Sequence, residues 1–366
     1  MSLKNQFIEL GKKDVPRKEF LKFCAITAAT LGLPASFTQV IAREIKNAAK
    51  RPPVIWMHFA ECTGDTESFI RASNPNITDI VLDVVSVDYH ETIMAPSGEA
   101  AHKSLEDSIH ANKGQYIVIA EGAIPTKDNG IYLTIGNKTG LELANEVCKD
   151  AFAVLCVGTC SSFGGVQAQA PNPTGAKGVL EATGLPKEKF VHLPGCPHNV
   201  KNSVATIVHY LLFKNLPALD HERRPLFAYG ETIHDHCPRR NHFEKGEFVE
   251  QFGDEGDRKK WCLYKVGCKG PATYHNCSKV LWNDGTNWPI GAGHGCNGCS
   301  ERDFWDTMTP FYERLPDRTP LGAVTADKVA GVIGGATALG IAAHAAMKAK
   351  KGRLGKGDDT ETKNKE

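Results

Sequence analysis

The stretch PVIWMHFAECTGD, residues 53–65, decides the fold. Its first nine residues, Pro53–Glu61, are apolar except for His58 and Glu61, which predicts a strand buried on both faces rather than on one. Cys62 follows at once, Asp65 stands three residues later, and a helix is expected to begin over Thr66–Ala72. A buried strand that passes through a short polar turn into a helix is the repeating step of a parallel α/β sheet.

The same step recurs downstream. Ile80–Val87, Gln115–Ala123, Phe152–Cys160 and Phe190–Cys196 read as further strands, with helices expected over His102–Asn112, Gly140–Asp150 and Asn199–Phe213. This alternation predicts a parallel sheet covered on both faces, spanning 51–216, and its order resembles that of a flavodoxin-like sheet. Ligands of such sheets gather outside the carboxyl ends of the strands. Cys62, Cys160 and Cys196 each close a strand, so three thiols far apart in sequence are expected at one edge. Cys148 falls inside a helix, and Cys156 lies roughly 13 Å back along its strand at about 3.3 Å per residue. Both are expected to be inert core thiols.

From Pro217 onward the pattern thins into Gly, Pro, Asn and aromatic residues, and the cysteines crowd together. The segment His234–Cys299 holds six of the twelve cysteines: H-x-x-C at His234 and Cys237, then Cys262, Cys268, Cys277, and C-N-G-C at Cys296 and Cys299. With so little periodic apolar character, a segment of this kind needs a staple. Iron–sulfur clusters, zinc and disulfides are the three candidates. One histidine and three cysteines (234, 237, 262, 268) fit a four-iron cluster, and Cys277, Cys296 and Cys299 fit a cluster one ligand short. The basic runs HERR at 221–224 and PRRNH at 238–242 read as solvated faces or as contacts between subunits.

The totals narrow the class. A chain of 366 residues accommodates two ordinary domains, here 51–216 and 217–320. A net charge of +1 with no basic stripe argues against nucleic acid as a partner. Residues 1–50 read as an export leader of twin-arginine type, with Arg17-Lys18 before the apolar run Phe23–Leu33. Val329–Met347 carries no charged side chain apart from His344 and is followed by Lys348, Lys350, Lys351 and Arg353. That predicts a C-terminal membrane helix within 321–366, with the bulk of the chain on the periplasmic side.

These motifs together resemble the small, electron-transferring subunit of membrane-bound nickel–iron hydrogenases. The matching segments are ECTG at 61–64, DNGIY at 128–132, GTCSSFGG at 158–165, NPTGA at 172–176, LPGCP at 193–197 and the region 231–299. The resemblance implies two 4Fe-4S clusters and one 3Fe-4S cluster in a line. Cys62, Cys160 and Cys196 would hold the proximal cluster, and Cys277, Cys296 and Cys299 the medial 3Fe-4S cluster, with Pro289 where a fourth cysteine could sit. His234, Cys237, Cys262 and Cys268 would hold the distal cluster. The implied partners are a nickel–iron large subunit, in a heterodimer or a dimer of heterodimers, and a membrane cytochrome b or quinone-linked subunit.

One departure stands out. The family pattern is C-T-G-C, whereas this chain has Cys62-Thr63-Gly64-Asp65. Asp65 is therefore expected either to supply the fourth proximal ligand, as an aspartate does in some members of the family, or to cap the following helix. Glu67 is a candidate to exchange with it. Two rival readings of the whole chain are a zinc-stapled exported binding protein and a cluster subunit of another quinone-linked oxidoreductase. The latter shares the sheet domain but lacks the second, cysteine-dense one.

Overall fold

The computed structural model describes residues 17–47, 51–72, 85–283, 285–315, 337, 339–344 and 346–347. Five parallel strands form the central sheet: β1 (Pro53–His58), β2 (Ser86–His90), β3 (Ile117–Glu121), β4 (Ala153–Val157) and β5 (Phe190–Leu193), in the order β2-β1-β3-β4-β5. This is the flavodoxin-type order, and the winding reverses between β1 and β3. All six residues of β1 and all five of β3 and of β4 are buried, because helices cover both faces.

Side-chain alternation divides the core in two. Val54, Trp56, Ile117, Ile119 and Leu155 point to one face, and Ile55, Met57, Val118, Val154 and Cys156 to the other. The helices are α1 (Arg17–Thr30), α2 (Phe37–Asn47), α3 (Gly64–Ile70), α4 (Gly98–Ala111), α5 (Gly140–Lys149), α6 (Gly158–Phe163), α7 (Val179–Thr183) and α8 (Val200–Phe213). The first two fall in the stretch expected to be a leader. They contribute Phe20, Phe23, Cys24, Ala28, Ile41 and Ile45 to the first core, packed with Val204, Val208 and Leu211 of α8.

The strands are shorter than the sequence predicts, and the reason bears on the site. The fourth strand stops at Val157, where Gly158 turns at φ 80°, and Cys160 sits inside the short α6 rather than at a strand end. Residues 80–84 of the expected second strand lie outside the described residues. Cys148 and Cys156 are wholly buried in the second core, as expected of inert thiols.

Beyond α8 the chain holds one-turn helices and isolated bridges around a third, smaller core of nine residues. Three of those nine are Cys268, Cys277 and Cys296. The basic runs read as solvated faces or subunit contacts are exposed at His221, Pro238, Arg240 and Asn241, but one arginine of each is buried. Arg224 is 3% exposed, with Nε 2.8 Å from Asp220 Oδ2 and Nη1 3.2 Å from Glu301 Oε2, and Arg239 donates to the Trp261 carbonyl.

The expected C-terminal membrane helix is overturned. Among the described residues no helix is long and apolar enough to cross a membrane. As a sequence, Val329–Met347 is rich in glycine and alanine, which carry little apolar area. The membrane assignment and the anchored periplasmic location rested on that helix and fall with it. Most of Val329–Met347 lies outside the described residues.

Candidate iron–sulfur sites

The first ligand group forms beyond the carboxyl ends of the parallel strands. Cys62 follows β1, α3 carries Asp65, α6 carries Cys160, and Cys196 follows β5. Burial, then the neighbouring Cys196 and Asp65, pushes the Cys160 thiol up to about 12, with Cys62 adding to it. Burial, then Asp65 and Cys62, raises Cys196 to about 11. The four side chains thus share one field, and Cys62 and Cys196 are exposed while Cys160 is half-buried.

Asp65 does not cap its helix. That role belongs to Glu121, at the end of β3 and fully buried, whose Oε1 accepts from the backbone N–H groups of Asp65 (3.0 Å) and Thr66 (3.1 Å). Its Oε2 accepts from Trp56 Nε1 and Thr66 Oγ1. Glu121 therefore pins α3 to the sheet and leaves the Asp65 carboxylate free for the site. Asp65 Oδ1 accepts from the His198 backbone N–H at 2.6 Å and lies 3.0 Å from His198 Nδ1. Oδ2 lies over Gly158, where an added Cβ would sit 2.0 Å away, so any larger residue there displaces the carboxylate. Glu67 is exposed and pairs with Arg71 at 3.4 Å.

The second group lines a cavity of about 640 Å³ that holds Cys277, Cys296, Cys299 and Pro289 on its wall, together with Cys196 and Gly64. Burial pushes Cys277 up to about 12, against a smaller pull from the Trp282 indole, and burial followed by Cys277 raises Cys299 to about 12. His275 Nδ1 lies 3.0 Å from Cys277 Sγ. Burial, then Arg224 and His198, pushes His275 down to about 3.

The third group is His234, Cys237, Cys262 and Cys268, which line one small hollow with Arg239 and Ile290. His234 packs edge-on against Phe243, and burial lowers its pKa, so the imidazole is neutral and able to ligate. Burial raises Cys262 to about 11, with Cys268 and Cys237 adding to it.

The groups are contiguous. Thr159, one residue before Cys160, donates its hydroxyl to the Cys299 carbonyl, and Cys299 feels the charge of Cys196. At the other end, Cys296 N–H donates to Cys268 Sγ at 3.3 Å. The second group thereby touches both others.

The donor set selects among the staples. The eleven cysteines from Cys62 to Cys299 form no disulfide, which removes disulfides as the staple of either ligand region. A tetrahedral zinc with Zn–S of about 2.3 Å holds its sulfurs about 3.8 Å apart. Among the described residues the only three donors that approach within 4.8 Å of one another are His58, Glu61 and Glu121, so the thiols are too widely spread for a single ion. That compact trio is no cation site, since Glu121 is consumed by the donors it accepts from. Spread sulfurs, one to each iron, fit a polynuclear cluster, and thiols pushed upward by burial need metal to hold them as thiolates.

Comparison with known proteins agrees. Residues 229–312 match the family model for the C-terminal region of the NiFe/NiFeSe hydrogenase small subunit, and 62–210 match that for the 20 Kd subunit of NADH ubiquinone oxidoreductase. The quinone-reactive Ni/Fe-hydrogenase small chain of Wolinella succinogenes is 48% identical over 347 residues, covering 92% of this chain and 97% of that one. The chain belongs to the small subunits of the nickel–iron hydrogenases. The periplasmic [NiFe] hydrogenase small subunit 1 of Nitratidesulfovibrio vulgaris is also 48% identical, over 83% of this chain and 95% of its own. The reduced, active Ni-Fe-Se hydrogenase of Desulfomicrobium baculatum superposes with a TM-score of 0.68 at 36% identity, covering 72% of this chain and all of that one. As a hydrogenase small subunit, the chain binds iron–sulfur clusters and relays electrons from the large subunit, which carries the nickel–iron site. The match over 229–312 is the second, cysteine-dense region that the quinone-linked rival lacks.

Sequence reasoning missed four residues of this site. Glu121, His198, His275 and Arg224 act through partners 55 to 133 residues away or through burial. Only the placement of His198 two residues after Cys196, and of His275 two before Cys277, hinted at a role.

Proposed function

We propose that this small subunit holds three clusters in the order proximal, medial and distal. Cys62, Asp65, Cys160 and Cys196 would hold a proximal 4Fe-4S cluster. Cys277, Cys296 and Cys299 would hold a medial 3Fe-4S cluster, and His234, Cys237, Cys262 and Cys268 a distal 4Fe-4S cluster. The observation that carries the order is the position of the second group, which touches the first through Thr159 and Cys299 and the third through Cys296 and Cys268.

When bound, the clusters supply one-electron carriers whose potentials are tuned by ligand charge, burial and hydrogen bonds. The residues do the tuning. The exposed Cys62 and Cys196 support contact between the proximal end and the large subunit. The neutral imidazole of His234, in place of an anionic thiolate, favours the reduced state at the distal end. The acceptor we propose is quinone-linked or a cytochrome b, supported by the quinone-reactive relative from W. succinogenes.

Electron paramagnetic resonance of the complex at defined potentials tests the assignment. Oxidised protein should show one three-iron signal. Pro289→Cys, on the wall of the same cavity as the three medial cysteines, should replace that signal with a four-iron one at lower potential. Three four-iron clusters in the unsubstituted protein would overturn the medial ligand set.

A further inference from the structure

Asp65 is gripped by one of its two carboxylate oxygens. Oδ1 accepts from the His198 backbone N–H at 2.6 Å and lies 3.0 Å from Nδ1 of the same residue. Oδ2 lies over Gly158 at the start of α6, two residues before Cys160, where only a residue without a side chain leaves it room. His198 is 0% exposed, and its Nε2 is buried with no hydrogen-bond partner among the described residues. A carboxylate oxygen only accepts, and a proton on Nε2 would be stranded, so Nδ1 carries the ring proton and donates to Oδ1.

The backbone fixes where that ring stands. His198 follows Cys196 by two residues and precedes Asn199, whose side chain caps α8 by accepting from the Lys201 N–H at 3.1 Å. The His198 carbonyl accepts from Ser68 Oγ at 2.9 Å, and Ser68 lies on α3, three residues beyond Asp65. Asn199 Nδ2 donates to the Leu281 carbonyl at 2.7 Å and ties the same turn to the second region. The turn before α8 and α3 are therefore stitched in both directions: backbone and ring of His198 donate to Asp65, and Ser68 donates back. Glu67, exposed and paired with Arg71, has no share in this clamp.

We propose that His198 is a positioning residue, which holds Asp65 by Oδ1 and so presents Oδ2 alone to iron at the proximal site. The proposal rests on the reading of Asp65 as a proximal ligand and goes beyond it by naming what fixes the ligand. A carboxylate held at neither oxygen is free to bind through either or both; one held at Oδ1 is not. Donation to Oδ1 also draws negative charge from the ligand, which stabilises the reduced cluster. The clamp keeps the carboxylate beside the site when its bond to iron opens, so the same oxygen returns. His198 itself passes on neither a proton nor an electron.

The test uses the assembled hydrogenase carrying His198→Phe, which keeps an aromatic ring and removes the donor, or His198→Asn, whose amide N–H takes the place of Nδ1–H. Iron content is measured, and the midpoint of each cluster is followed by paramagnetic resonance. His198→Phe should shift the oxidised-to-reduced ratio of the proximal cluster about tenfold toward oxidised, about 59 mV downward for one electron, with the medial midpoint unmoved. It should also give a second three-iron signal after oxidation in air. His198→Asn should restore the midpoint and the fourth iron. An unchanged proximal midpoint in His198→Phe overturns the proposal. So does a His198→Asn variant that behaves as His198→Phe does, since the donor would then count for nothing. Should His198→Phe lose the cluster outright, His198→Asn decides alone: the parental spectrum supports the clamp, and loss of the fourth iron defeats it. Asp65→Ala is run beside them. An ordinary four-iron proximal cluster in that variant defeats the reading of Asp65 as a ligand. A lost iron there, with an unmoved midpoint in His198→Phe, leaves that reading standing and defeats the role of His198 alone.

Discussion

The sheet region and the cysteine-dense region place their ligands by opposite means. In the first, two apolar clusters of twenty-two and nineteen buried residues contain none of the proposed ligands. The scaffold exists without metal, and the ligands hang from its edge in the turns and short helices that follow the strands. In the second, the apolar cluster has nine members, and three of them, Cys268, Cys277 and Cys296, are proposed ligands. There the ligands are the core. One region presents a site and the other is built around its sites, so the two should depend on metal very differently.

The largest effect follows directly. Removing iron with a chelator under reducing conditions should abolish hydrogen-exchange protection across 233–300 while the amides of β1, β3, β4 and β5 stay protected. A core of nine residues cannot offset the conformational entropy of the loops it must order, and metal binding supplies the difference. Equal loss of protection in both regions would break the comparison, since it would show that the sheet also needs its cluster to fold.

The next effect concerns the tie between the regions. Arg224 reaches from the segment after the sheet to Asp220 and to Glu301, two residues past Cys299, and also donates to the Ser300 carbonyl. Its guanidinium lies over the rings of Tyr229 and Tyr274. Arg224→Ala leaves two carboxylates in a largely buried setting without their cation, a loss of about 3–5 kcal/mol. Urea unfolding of the metal-loaded protein should show that loss, with exchange quickening first around Tyr274 and Ser300. A change confined to the sheet would mean that Arg224 stabilises only its own side.

How much of this was legible in the sequence differs between the same two regions. Continuous apolar runs such as Val54–Met57 and Ile117–Ala120 announce buried parallel strands, and the sheet followed from them. The end of the fourth strand was misjudged because Gly158 turns the chain two residues before Cys160, a backbone event that apolar content does not mark. In the second region the cysteine spacing grouped the ligands, but HERR at 221–224 read as solvent-facing. Nothing local reveals that Glu301, some eighty residues on, folds back over Arg224. The same holds for His198 and His275, whose importance lies in which ring meets which ligand. The C-terminal span failed for a different reason: a run free of charge is not the same as a run rich in apolar area.

The smallest effect reverses the order of vulnerability, with acid acting on the sheet region instead of metal loss acting on the cysteine-dense one. His192 on β5 is buried and packs edge-on against Phe163. Burial pushes its pKa down to about 4 against a smaller opposing pull from Glu222, while Arg302 and Arg223 add to the depression. In the unfolded chain the same imidazole titrates near 6.5. The folded value is the lower one, so the unfolded state binds more protons between the two, and stability falls as the pH drops through that window. His192 then destabilises nothing above pH 6.5 and costs about 1 kcal/mol by pH 5.5. His90 on β2, lowered to about 4 by burial and then by His58, adds a second contribution of the same sign in the same region. His192→Phe keeps an aromatic ring against Phe163 and removes the proton site. It should flatten the loss of stability between pH 6.5 and 5.5, measured by urea unfolding at each pH, and leave the value at pH 7.5 within about 1 kcal/mol of the parent. If the slope is unchanged, His192 is not what acid attacks, and the sensitivity of the sheet region must be assigned to His90 alone.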